Sequence, residues 1–198
     1  MLTDATNQNI LIAARKEFAK NGFHQTVVSD IASAAGVGKG TVYRHFGNKE
    51  QLFATLIKHG SYELRDRIEA AVSSGENPLE SLQNCLDTYF DFFRNSRELI
   101  EIVLTEGKQR VGHVSNELKH NDIRIRSHLS ALFRSGMDLG IFRSMDPDKI
   151  ALLFHNTVWS MMRWAILSSE DIEFSRSLIP EIFLQGIRNP EAPLESSQ

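Results

Sequence analysis

Apolar residues recur at helical spacing along almost the whole chain, and this feature narrows the fold more than any other. Ile10, Ala14 and Phe18 fall at i, i+4 and i+8, with Leu11 beside them and Arg15, Lys16 and Lys20 on the opposite face. No run of alternating β-branched residues bounded by turn pairs occurs, and Val27-Val28 is too short to count as a strand. The expected fold is all-α with about nine helices. After the first, which should stop at Asn21-Gly22 with Phe23 folded back on its last turn, they are expected at 27–34, 38–46, 49–73, 79–95, 97–107, 114–138, 147–168 and 172–188.

The punctuation between these segments is chemical. Thr26 can cap the second helix, and Asn48 with Gln51 makes a capping-box-like start for the fourth. Ser74-Gly75-Glu76-Asn77-Pro78 breaks one helix and puts proline at the start of the next. Asp146-Pro147 supplies an N-cap followed by proline at the first helical position. The tail from Asn189, with Pro190 and Pro193, is expected to fray.

Length and composition set the remaining bounds. A chain of 198 residues, 41% hydrophobic and 24% charged, can bury a sizeable core in one large or two small domains and is not of disordered composition. The single cysteine, Cys85, forbids an internal disulfide, removes the usual thiolate zinc sites and is expected to be a buried core thiol. The start, MLTDATNQNI, lacks the basic and apolar regions of a secretory signal, so a cytoplasmic location is expected. The net charge of -3 conceals an asymmetry. Residues 1–60 carry seven Lys and Arg against four Asp and Glu, whereas the remainder carries fifteen against twenty-one. A basic end on an acidic body is a hint about partners rather than fold.

The stretch 150–167, IALLFHNTVWSMMRWAIL, is the most apolar in the chain. It is too short for a membrane span, which needs about 20 predominantly apolar residues. It also holds His155, Asn156 and Arg163, and a central Arg costs roughly 2.5–3.5 kcal/mol on insertion. A helix that is apolar nearly all round must be covered on both sides; its own core can supply one and a partner subunit the other, the alternative being that this helix and the last lie at the centre of a monomer. The last helix repeats the pattern, with Leu178, Ile179, Ile182, Phe183, Gly186 and Ile187 over a wide face.

Function is concentrated in residues 26–46, TVVSDIASAAGVGKGTVYRHF. Two short helices meet at Ala35-Gly36-Val37, a turn with glycine where φ should be positive. Ile31, Val37, Val42 and Phe46 have the spacing to pack these helices together and against Phe18. The second is left with Lys39, Thr41, Tyr43, Arg44 and His45 on its surface, a basic and hydrogen-bonding face suited to a major groove. Gly38 and Gly40 leave room for backbone to approach phosphate.

These residues resemble the TetR/AcrR family of bacterial one-component transcriptional regulators. The resemblance covers about residues 9–56 and rests on Phe18-x-x-x-Gly22-Phe23, Thr26-x-x-x-Asp30-Ile31-Ala32, Ala35-Gly36-Val37, Gly40-Thr41-Val42-Tyr43-x-His45-Phe46 and Asn48-Lys49-Glu50-x-Leu52. It implies an N-terminal three-helix bundle with a helix-turn-helix over residues 1–48, then a larger helical ligand-sensing and dimerisation domain over 49–198. It also implies roles. Thr26 and Val27 would sit on backbone phosphates, Lys39, Gly40 and Thr41 would enter the groove, and Tyr43 and Lys49 would reach phosphates through hydroxyl and ammonium. Arg44 is the candidate base reader, because a guanidinium matches guanine O6 and N7 bidentately, and His45 would touch backbone or base. Helices 147–168 and 172–188 would pair with their twofold mates, so that two recognition helices about 34 Å apart meet a near-palindromic operator.

By the same resemblance, a small molecule entering the helical core would shift helix 49–73 and release the operator, making the chain a repressor. Tyr89, Phe90, Phe93, Leu104, Phe133, Met137, Phe154 and Trp159 are candidates to line that pocket. An aromatic and Met-rich wall without inward charges favours an apolar or aromatic ligand. Lys108, Arg110, Lys119, Arg124 and Arg126 loosely resemble the basic residues of family members that sense fatty-acyl thioesters; a solvated charged face explains them equally.

A DNA-organising dimer without an inducer would use the same reading head, whereas a helical enzyme or lipid carrier would leave residues 26–49 unexplained. His113, Glu117 and His120 share a helix face but read as surface groups rather than a metal site, and no cofactor is expected. The run Ala35-Gly36-Val37-Gly38-Lys39-Gly40-Thr41 lacks phosphate-loop spacing and a preceding strand, and neither G-x-S-x-G nor H-E-x-x-H occurs, so no enzymatic activity is expected.

Overall fold

The computed structural model describes residues 5–110, 115–168 and 172–188. Within them the chain is helical: α1 (Ala5–Gln25), α2 (Val28–Ala34), α3 (Lys39–Phe46), α4 (Lys49–Val72), α5 (Pro78–Asn95), α6 (Arg97–Arg110), α7 (Ser115–Asp138), α8 (Pro147–Leu167) and α9 (Ile172–Ile187). One isolated antiparallel bridge, Phe142 to Arg188, is the only extended pairing among the described residues. The tail beyond Arg188, where fraying is expected, lies outside them.

Most helix ends follow the expected chemistry. Asn48 Oδ1 accepts the Gln51 amide at 2.7 Å, and Asn77 Oδ1 accepts the Glu80 amide at 3.0 Å beside Pro78. Asp146 accepts from the amides of Asp148 and Lys149 ahead of α8. Gly22 breaks the first helix as expected, at φ 70° and ψ 171°, and Phe23 folds back to stack on Phe18 before a short helical turn runs to Gln25. Only glycine adopts such backbone without strain. One expectation needs correction: Thr26 does not cap α2, since the N-cap position falls on Val27 and no side chain bonds there.

The described residues form two compact units, and the boundary between them falls inside α4 and inside α7. The first comprises Met1–Tyr62 and Ser96–Lys119. Its core gathers Ile10, Ala14, Phe18 and Phe23 of α1, Ile31 of α2, Val42 of α3, Leu52, Phe53 and Leu56 of α4, and Leu99 and Ile102 of α6. It therefore extends well past residue 48, because the first turns of α4 and the start of α6 bury their apolar faces in the same cluster. Arg15 anchors α6 by donating to Ser96 Oγ at 2.8 Å.

The second unit comprises Glu63–Asn95 and His120–Gln198. Tyr89, Phe93, Phe133 and Phe154 are fully buried there, and Phe154 packs edge-on to Phe133 at 5.8 Å and Phe183 at 5.1 Å. Cys85 is buried as expected, and burial pushes its thiol up to about 12. Gly136 on α7 is a close-approach site: a Cβ there would overlap the buried Phe142 ring. Gly136→Ala is therefore expected to cost about 1–3 kcal/mol by overpacking, measured by chemical denaturation. A neutral or stabilising result would show that the ring moves aside freely. Among the described residues no helix is long and apolar enough to cross a membrane.

Candidate nucleic-acid interface

The geometry of α2, the turn and α3 follows from three local constraints. Gly36 at φ 69° turns the chain, while the Ala35 amide donates to Ile31 O at 2.9 Å and the Val37 amide to Ala32 O at 2.9 Å. Ile31 and Val42 are buried, with Val37 and Phe46 packed partly buried against them. Phe18 stacks on Phe23 at 5.6 Å and meets Phe53 edge-on at 5.1 Å, forming the floor on which both helices rest.

Burying Val42 fixes which face of α3 looks outward. Lys39, Gly40, Tyr43, Arg44 and His45 are exposed and Thr41 is partly exposed, so each expected reading residue of α3 is open to solvent at least in part. Lys39 Nζ stands 5.7 Å from the centre of the Tyr43 ring. Ideal side chains built at Gly38 and Gly40 would meet nothing within 4 Å, consistent with a helix start open to an approaching strand. Val27 is also exposed, at the start of α2.

Thr26 and Lys49 are placed otherwise. Thr26 is 1% exposed and its hydroxyl points into the end of α1, 2.6 Å from Gly22 O and 3.0 Å from Glu17 O. The Lys49 ammonium donates to Phe23 O at 2.9 Å, Thr26 O at 2.9 Å and His24 O at 3.3 Å, and lies 4.6 Å from the Phe23 ring centre. An ammonium has three protons, and these carbonyls take all three. Both groups close the broken end of α1, where helical carbonyls lack partners and the dipole favours a cation. Lys49→Met is therefore expected to lower stability by about 1–3 kcal/mol while leaving the salt slope of DNA binding unchanged. A slope flattened by about one unit, with stability intact, would restore the phosphate contact.

The candidate ligand residues divide. Tyr89, Phe90, Phe93, Phe133 and Phe154 are buried in the second unit, and Met137 and Trp159 are partly buried there. Leu104 belongs to the first unit instead, because α6 packs on α1. The wall is not free of charge either. His155, 3% exposed, sits between Tyr89 Oη, 2.6 Å from Nδ1, and Asp122 Oδ1, 2.7 Å from Nε2. The hydrogen bond from His155 holds the Asp122 carboxyl below its usual range, helped by Arg126, which donates to the same carboxylate at 2.8 Å. Burial pushes the Tyr89 phenol well above its ordinary value. The sequence places His155 on one face of the apolar helix with Ala151 and Trp159, but that spacing does not name Tyr89 or Asp122 as its partners. Of the basic residues considered for an acyl thioester, Arg126 is thus occupied, and the side chains of Lys108 and Arg110 lie outside the described residues. His113 also lies outside them, and Glu117 pairs with Lys58 at 3.3 Å.

Comparison with known proteins agrees with this layout. Residues 10–56 match the family model of bacterial regulatory proteins of the tetR family, and residues 78–163 match the tetracyclin repressor-like C-terminal domain. The HTH-type transcriptional repressor KstR2 of Mycobacterium tuberculosis is 28% identical over 161 residues, covering 78% of each chain. The fatty acid metabolism regulator protein of Bacillus subtilis is 25% identical over 193 residues, covering 91% of this chain and 94% of that one. A putative TetR-family regulator from Mesorhizobium loti shares the fold at a TM-score of 0.76 and 22% identity, over 93% of this chain and 97% of that one. With a reading head matched at one end and the repressor-like domain at the other, the chain belongs to the TetR family and is a DNA-binding transcriptional regulator rather than an enzyme.

Proposed function

We propose that this regulator is a repressor that binds a near-palindromic operator as a homodimer and leaves it when a small, mainly apolar ligand enters the second unit. The observation that carries this reading is the exposed face of α3, where Lys39, Thr41, Tyr43, Arg44 and His45 surround a helix anchored through the buried Val42. Residues 1–48 supply the DNA-binding domain and residues 49–198 the sensing and dimerising one, with the start of α4 and α6 as structural support for the head. Val27 and Tyr43 approach phosphates, Lys39, Gly40, Thr41 and His45 occupy the groove, and Arg44 reads a base. Thr26 and Lys49 position the turn from inside. The regulator works where its operator is, in the bacterial cytoplasm.

Support for repression and for an apolar ligand comes from the relatives, which include a named repressor and a regulator of fatty acid metabolism. The aromatic core of Tyr89, Phe90, Phe93, Phe133, Phe154 and the partly buried Trp159 suits such a ligand. Release requires that the ligand bind the non-operator state better, and the coupling is reciprocal. Arg44→Ala is expected to cost about 1–3 kcal/mol of operator affinity and to relax preference at one base pair per half-site. Equal loss across all sequences in a binding-selection assay would reassign Arg44 to a phosphate.

A further inference from the structure

The Trp159 indole nitrogen is buried and has no hydrogen-bonding partner, the only such side-chain donor among the described residues. Its ring stands edge-to-face with Phe93 at 4.7 Å and lies 6.1 Å from the His155 ring. A buried N–H without an acceptor is costly, and native proteins rarely leave one unless something fills the need. The neighbouring polar groups cannot fill it. With Asp122 ionised, His155 Nε2 carries a proton donated to Oδ1, and in the neutral imidazole Nδ1 accepts from Tyr89 O–H. Both imidazole nitrogens are therefore engaged, and neither is left to accept from the indole N–H.

We infer that the ligand of this regulator is an apolar molecule bearing an uncharged acceptor oxygen, of the carbonyl class, which takes the Trp159 Nε1–H. This rests on the ligand-release reading above and narrows it: the aromatic rings supply area, and one directed hydrogen bond supplies selection against pure hydrocarbons. A carboxylate is disfavoured among these buried aromatic rings, because its charge would be desolvated there. The Asp122–His155–Tyr89 chain fixes the imidazole ring that packs beside Trp159 and so positions the indole.

The test uses a matched pair of probes, acetylnaphthalene and ethylnaphthalene, which differ by one carbonyl oxygen. Binding to the full chain is followed through the indole N–H resonances of its two tryptophans, Trp159 and Trp164, told apart with Trp159→Phe. The ketone is expected to bind at least about tenfold more tightly than the hydrocarbon and to move the Trp159 resonance downfield. Trp159→Phe, checked for folding by circular dichroism, should bring the two affinities together. Equal affinities in the native chain, or a preference that survives in Trp159→Phe, would overturn the anchor while leaving an apolar sensing core in place. Binding of neither probe would count against both the anchor and the ligand-release reading.

Discussion

Replacing Leu153 and Trp164 together by glutamate is expected to yield a folded monomer that no longer holds its operator. Both residues lie on α8, 55% and 49% exposed, with Leu167 at 48%. Leu153, Asn156, Ser160, Trp164 and Leu167 are spaced three or four apart, so they form one stripe along the helix. The opposite side of α8 is already satisfied: Ala151, Phe154, Val158, Met162 and Ala165 are buried. Large exposed apolar side chains interleaved with the small polar Asn156 and Ser160 suit the proposed dimer contact, and charges at Leu153 and Trp164 would have to be desolvated for the subunits to meet. Losing the partner removes the second half-site contact, and with it roughly 10²–10⁴ of avidity. Sedimentation should report a monomer, with operator affinity reduced at least about 100-fold and helical content preserved. A variant that stays dimeric and binds within threefold of the native affinity would place the interface elsewhere.

Phe18→Ala should be the most damaging single change in the reading head. Phe18 is fully buried and touches Phe23 and Phe53, whose own rings meet at 5.1 Å, so α1, its broken end and α4 are joined through this ring. Truncating a buried phenylalanine costs about 3–5 kcal/mol through lost transfer energy and the cavity left behind. That is a large part of the 5–15 kcal/mol that stabilises a typical domain. The expected result is an early loss of helix signal on heating and loss of operator binding at temperatures where the native chain binds. A cost below about 1 kcal/mol would mean that Leu52, Ile10 and their neighbours collapse into the space.

Much of this organisation was legible in the sequence because it is written in local chemistry. Gly36, Asn48, Pro78 and Asp146 each force or end a turn through their own backbone or side chain, and the structure places them where that chemistry predicts. The outward face of α3 was legible for a related reason: once Val42 is buried, a short helix has little choice about what remains exposed.

What the sequence concealed depends on distant partners. A threonine hydroxyl or lysine ammonium serves a phosphate and a helix-end carbonyl equally well, and only the break at Gly22 decides for Thr26 and Lys49. Nothing in the sequence of α6 marks that it packs on α1, so Leu104 reads from sequence as a residue of the sensing core. The Asp122–His155–Tyr89 chain joins three helices, and no spacing within any one of them shows it.

Selection from a random DNA pool at two salt concentrations tests most directly whether the exposed face of α3 reads a specific operator. The expected result is recovery of a near-palindromic site with half-sites about one helical turn apart and a steep loss of affinity as salt rises. Weak binding with no sequence preference, or no binding at either salt, would contradict it.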